Sequence, residues 1–276
     1  MTKDNQVEQK KTLKRVASAS FIGNFVEWFD YAAYGFLATV IAVVFFPQSD
    51  PLTALMAAYA IFAISFILRP LGGIFWGHVG DKFGRKNALS WSIILMTLAT
   101  VCIALLPSYQ SIGIFAPILL LVFRMIQGFS ASGEYAGAAN FLAEYAPKKK
   151  RGLYTSLVPA STAAGLLLGS VMAAAMFAFM SEAFLHEYGW RIPFLLAAPL
   201  GLIGYYIRVK LEDTPEFLEH QKTGQKENFP IKALFNQYRP ALFKAFAVAS
   251  LNATAFYLIF LCTRQISQNP YPIRVL

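Results

Sequence analysis

The sequence predicts an all-α membrane protein: a bundle of six membrane-spanning helices followed by one further helix. Three observations predict it. Hydrophobic residues make up 57% of the 276-residue chain and charged residues only 14%, at a mean hydropathy of +0.49. A soluble domain carries roughly 25% charge, so this composition cannot cover a water-facing surface. The apolar residues gather in seven runs, most close to the ~20 residues that a helix needs to cross a bilayer. Lys and Arg collect in every second loop, as they do in chains that weave through a membrane.

Residues 1–20 read as a polar cytoplasmic segment with Lys3, Lys10, Lys11, Lys14 and Arg15. The first apolar run, 21–46, is too long for a signal-peptide core and carries two acids, so it reads as a retained span. Further runs follow at 52–76, 88–106, 114–141, 156–180 and 192–209. Residues 21–209 thus form a six-span bundle. Residues 210–240 read as a central cytoplasmic loop, where Glu212, Asp213, Glu216 and Glu219 argue for a solvated amphipathic piece. A seventh run occupies 241–262, and a tail of different character fills 263–276.

The loop after the second run holds Lys82, Arg85 and Lys86, and the loop after the fourth holds Lys148, Lys149, Lys150 and Arg151. The segment after the sixth begins with Arg208 and Lys210. The intervening loops are almost free of positive charge. This alternation predicts a cytoplasmic N-terminus. It also explains the net charge of +9 without nucleic acid, because the basic residues never form one patch.

Cys102 and Cys262 lie in separate apolar runs, and His78, His186 and His220 in separate loops. No cluster has metal-ligand spacing, and no nucleophile elbow or phosphate loop occurs. The sequence therefore gives no case for an enzyme, a metal or a cofactor.

Charged residues inside a span cost about 2.5–3.5 kcal/mol each at a helix centre. They must face a bundle interior or a wet cavity. At about 100° per residue, Gly23, Glu27, Asp30 and Tyr34 share a narrow arc of the first span. In the fourth span, Arg124, Gln127, Gly128, Ala131 and Tyr135 share a face, with Glu134 about 80° away. A buried cation beside carboxylates can bind an anionic group or neutralise an acid that loses its proton. It can equally be a fixed ion pair that only joins helices. Arg69, before Pro70, reads as a snorkelling side chain beside a kink. Three GxxxG pairs, Gly73/Gly77, Gly133/Gly137 and Gly165/Gly169, read as helix-packing faces.

Gly77 to Lys86, with Asp81, Gly84 and Arg85 between, resembles the loop signature of the major facilitator superfamily. Phe123 to Gly128, then Gly133-Glu134-Tyr135 and Glu144, resembles its fourth-span motif. Gly23 to Asp30 and Gly189 to Phe194 resemble the metabolite:proton symporter branch, and Gln127-Gly128-Phe129-Ser130 its proline/betaine transporters. Ser132 stands where that motif has Gly, and Pro159 lacks the neighbouring acid of betaine-type relatives. The resemblance implies the N-terminal bundle of a twelve-span carrier plus the first helix of the second bundle, with the chain truncated after its seventh span. It implies proton-coupled symport of a small polar metabolite or osmolyte, betaine, proline or an organic acid, across a bacterial inner membrane. Glu27, Asp30, Tyr34, Arg124, Gln127 and Glu134 would be the proton-coupling or substrate-binding residues. Gly77, Asp81, Gly84, Arg85 and Lys86 would form a cytoplasmic gate. The partners implied are the solute, protons and the lipid bilayer. The alternative is a transport-inactive remnant, or a half-carrier that needs a partner chain.

Overall fold

The structure, a computed structural model, describes the backbone of residues 3–211 and 238–268 and the side chains of 11–211 and 238–255. Most of the expected central loop and the end of the expected tail lie outside the described residues. The chain divides into two units, Met1–Lys226 and Glu227–Leu276.

The first unit is helical. Helix α1 (Lys3–Phe36) is followed by α2 (Ala38–Phe45), α3 (Pro51–Ile67), α4 (Arg69–Phe83) and α5 (Arg85–Leu105). Then come α6 (Tyr109–Ile112), α7 (Phe115–Ala131), α8 (Glu134–Tyr145), α9 (Arg151–Thr155), α10 (Leu157–Phe179), α11 (Glu182–Glu187) and α12 (Ile192–Val209). The second unit holds α13 (Arg239–Gln268), which contains the seventh apolar run. Among the described residues, five helical segments are long and apolar enough to cross a membrane, or six when the bent pair α1–α2 counts as one span.

Local chemistry sets several boundaries. Asp50 caps α3 by accepting from the Leu52 and Thr53 amides at 3.1 Å each, and Pro51 starts the helix. Gly84 stands between α4 and α5 at φ 100°, ψ 145°, where an L side chain would be strained. Helix α1 begins well before the first apolar run, inside the polar segment 1–20. That stretch contains neither Gly nor Pro, so nothing in it stops a helix.

Several spans are less regular than their hydropathy predicts, and two of the breaks bear on the charged faces. The first bends by 67° at Leu37. Leu37 still donates to Ala33 and accepts from Ile41, so the bend leaves these two groups paired. The fourth is interrupted at Ser132–Gly133, between α7 and α8. That break ends the face expected to run from Arg124 to Tyr135, and Tyr135 is exposed.

In lipid, apolar burial gives little drive for helices to associate. Close backbone approach and polar pairs must do it. Helix α1 lies along α10, α12 and α8, and α5 along α12 and α7. Gly165 and Gly169 bring α10 against the Phe25–Ala33 stretch of α1, while Gly133 and Gly137 meet Trp76 and Leu89. Gly73 and Gly77 differ: a Cβ on either would meet nothing among the described residues. They line an open cleft with Trp76, Arg85 and Asn140.

The tightest crossing is Gly128, where a Cβ would overlap the Ser65 carbonyl of α3. Gly128→Leu is expected to push α3 from α7 and cost about 1–3 kcal/mol. Gly77→Ala should change stability by less than about 0.5 kcal/mol. Thermal unfolding of the detergent-purified variants checks both.

Candidate functional site

Among the described residues, the intramembrane charges sort into three pairs rather than one site. The first joins α1 to α7. Arg124 Nη1 donates to Asp30 Oδ2 at 2.7 Å, and the two side chains are 0% and 4% exposed. Gln127 Nε2 lies 3.3 Å from Asp30 Oδ1 and 2.6 Å from Thr100 Oγ1. The Arg124 guanidinium stands over the Tyr34 ring at 3.9 Å and near Phe194 at 5.4 Å. Tyr34 is held in turn by its hydroxyl, which donates to the Ala58 carbonyl at 2.9 Å. Arg124 Nε and Nη2 and Gln127 Oε1 are buried without a hydrogen-bond partner among the described residues. Unmet buried donors are costly, so this pair keeps hydrogen-bonding capacity in reserve.

The second pair joins α1 to the start of α4. Arg69 Nη2 donates to Glu27 Oε1 at 2.5 Å and to the Tyr31 hydroxyl at 2.6 Å. Arg69 is therefore not the snorkelling residue its place beside Pro70 suggests. A carboxylate one turn before Asp30 on α1 holds it in the bundle.

The third pair was not visible in the sequence. Glu134 does not meet Arg124, as one shared site would require. It meets Arg208 of α12, through both carboxylate oxygens. Arg208 is 2% exposed and also donates to the Leu89 carbonyl at 2.8 Å and the Ala19 carbonyl at 3.2 Å. Ser92 donates to Glu134 at 3.2 Å. Both carboxylate oxygens have partners, and the pair sits against the Gly23 backbone, where a Cβ would overlap both side chains. Arg208 had counted as a loop charge at the end of the sixth run. Its clue was the spacing of Gly201, Gly204 and Arg208, which share one helix face.

The glycine-rich turn is separate from these pairs. Gly77 and Asp81 are exposed, Gly84 is buried, and Arg85 and Lys86 are half-buried. Arg85 Nε meets Glu144 Oε1 of α8 at 2.8 Å, which ties the turn to the fourth span. Asn24 makes the other polar link of note: its amide donates to the Val158 carbonyl, Ser161 and Thr162, at 2.8–3.0 Å, and ties α1 to α10.

The sugar (and other) transporter family matches over residues 16–236, most of the chain. The chain belongs to this family. A proline/betaine transporter of Escherichia coli (strain K12) is 41% identical over 267 residues, covering 93% of this chain and 53% of the relative. A glycine betaine/proline/ectoine/pipecolic acid transporter, OusA, of Dickeya dadantii (strain 3937) is 47% identical over 222 residues, covering 80% of this chain and 44% of the relative. The chain thus spans about half the length of the curated relatives it matches. Among solved structures, the major facilitator superfamily proton:xylose symporter XylE of E. coli matches at a TM-score of 0.70 and 18% identity, over 79% of this chain and 48% of that one. At that identity the likeness speaks for fold.

These matches agree with the family expected from the motifs, and with an all-α membrane fold of the major facilitator type. The chain is a multi-pass membrane protein of a transporter family, and its relatives are carriers rather than enzymes.

Proposed function

We propose that this chain works in a secondary carrier that couples proton entry to uptake of a small zwitterionic osmolyte, of the betaine or proline kind. The Asp30–Arg124 pair carries the reading. When Asp30 is ionised, it neutralises Arg124 in a site that excludes water. When Asp30 takes a proton, Arg124 loses its counter-charge and must find another partner. A buried charge left alone is costly, so protonation and rearrangement are coupled. Gln127, itself held by Thr100, steadies the carboxylate, and Tyr34 steadies the guanidinium. Glu134 acts in this reading as a fixed clamp, because Arg208 and Ser92 engage both of its oxygens.

The alternation of basic loops supports a cytoplasmic N-terminus in a bacterial inner membrane. On that orientation Gly77, Asp81, Gly84, Arg85 and Lys86 form a cytoplasmic gate, with Glu144 as the anchor of Arg85. A half-carrier that works with a second bundle is the alternative reading.

Proteoliposomes separate these readings. Labelled glycine betaine, proline and a dicarboxylate are offered under an inward proton gradient. The proposal expects gradient-driven uptake of the zwitterions when the chain is supplied with the second half of a betaine-transporting relative. Uptake by the chain alone would remove the half-carrier reading. No uptake in either case would overturn the carrier.

A further inference from the structure

The Glu27–Arg69 pair is not needed for the proton step above, yet it is built unlike the other two. Arg124 and Arg208 are 0% and 2% exposed, whereas the Arg69 side chain is 25% exposed. Arg69 lies inside the 52–76 apolar run, about 10 Å before its end, and Glu27 and Tyr31 hold its guanidinium there. A guanidinium at that depth does not face lipid without a large cost. Its open side therefore belongs to an aqueous or ligand-filled space. Glu27, by contrast, is 1% exposed, and its Oε2 has no hydrogen-bond partner among the described residues. Trp28 Nε1, beside it in the chain, is also buried and unpartnered. The site thus offers a free acceptor, Glu27 Oε2, beside one partly exposed cation.

Aromatic rings surround that cation. The Arg69 guanidinium lies 5.0 Å from the Tyr31 ring centre and 4.7 Å from that of Phe66. Phe62 packs on both Tyr31 and Phe66, at 5.6 and 5.2 Å, and Trp28 sits edge-on to Tyr31 at 6.0 Å. Electron-rich ring faces attract organic cations, quaternary ammonium above all.

We infer that Glu27, Arg69 and the Tyr31–Phe66 rings form a recognition site for a zwitterion, which enters by inserting into the ion pair. The ligand carboxylate takes the Arg69 guanidinium, through the planar fork that suits it. The ligand ammonium faces the Glu27 carboxylate and the rings that Arg69 now covers. Each buried charge exchanges one partner for another, and the site's net charge does not change. A pure cation would meet Arg69 unrelieved, and a pure anion would meet Glu27. The site therefore selects zwitterions over either. This rests on the carrier reading for the nature of the solute, but binding needs no translocation, so the two can fail separately.

The test is equilibrium binding of labelled glycine betaine to the purified chain in lipid nanodiscs, with choline and 2-oxoglutarate as competitors. Glycine betaine should bind, and neither competitor should displace it at equal concentration. Arg69→Gln should weaken binding at least tenfold, and Arg69→Lys should restore part of it, since charge returns without the fork. Because Arg69→Gln strands a buried carboxylate, the double variant Glu27→Gln/Arg69→Gln removes both charges together. It should elute as a single folded species and still lose binding at least tenfold. Wild-type binding in the double variant, displacement by choline, or no binding to the wild-type chain would each overturn the inference. Failure of proton-driven uptake with binding intact would count against the carrier reading alone.

Discussion

Arg208→Met is expected to destabilise the bundle by about 3–5 kcal/mol, the usual cost of removing one partner from a buried ion pair. Arg208 joins four helices: α12 carries it, the Ala19 carbonyl is on α1, Leu89 on α5, and Glu134 on α8. Its loss leaves the Glu134 carboxylate buried with only the Ser92 hydroxyl. It also removes one donor each from the Ala19 and Leu89 carbonyls, which keep their helical partners. Removing both charges is different. Glu134→Gln/Arg208→Met should cost less than Arg208→Met alone, because no uncompensated charge remains. Thermal unfolding in mild detergent, followed by tryptophan fluorescence, measures both. An Arg208→Met protein that melts with the wild type would show that the pair holds nothing together.

Asp30→Asn is expected to abolish uphill, proton-driven uptake, at some cost in stability because Arg124 keeps a buried charge with no counter-charge. Asn keeps the size of Asp and can still accept from Arg124, but it takes no proton in the working range. Arg124 then loses its counter-charge permanently, as if Asp30 were always protonated. Exchange of labelled for unlabelled solute, which needs no net proton movement, should survive better than accumulation. It should also lose its dependence on pH. An Asp30→Asn protein that still accumulates solute against its gradient would take Asp30 out of the proton path.

Much of this was legible in the sequence because charge at membrane depth is expensive. Glu27, Asp30, Arg124 and Glu134 stand out inside apolar runs. Their partnerships were less legible. Arg208 lies at the end of an apolar run, where a buried arginine and a loop arginine look the same in hydropathy. Arg69 beside Pro70 has the pattern of a snorkelling residue, and only the fold brings Glu27 to it. Thr100 and Ser92 give almost no signal. A helical hydroxyl can bond its own preceding turn, as Thr100 does to the Met96 carbonyl at 3.0 Å, so it is buried at little cost. Backbone geometry was the least visible. The residues on both sides of Leu37 are equally apolar, so no periodicity marks the 67° bend. Likewise, Gly73/Gly77 has the same spacing as Gly165/Gly169, but only the second pair meets another helix.

In the proposed symport, Asp30 is the proton carrier. Proton flux measured together with solute flux tests it most directly. The chain and its complementary half are reconstituted into vesicles holding a pH-sensitive dye, with no imposed gradient. Adding glycine betaine outside should acidify the lumen as solute enters, and Asp30→Asn should abolish that signal. Solute-driven acidification of equal size in the Asp30→Asn protein would contradict the account.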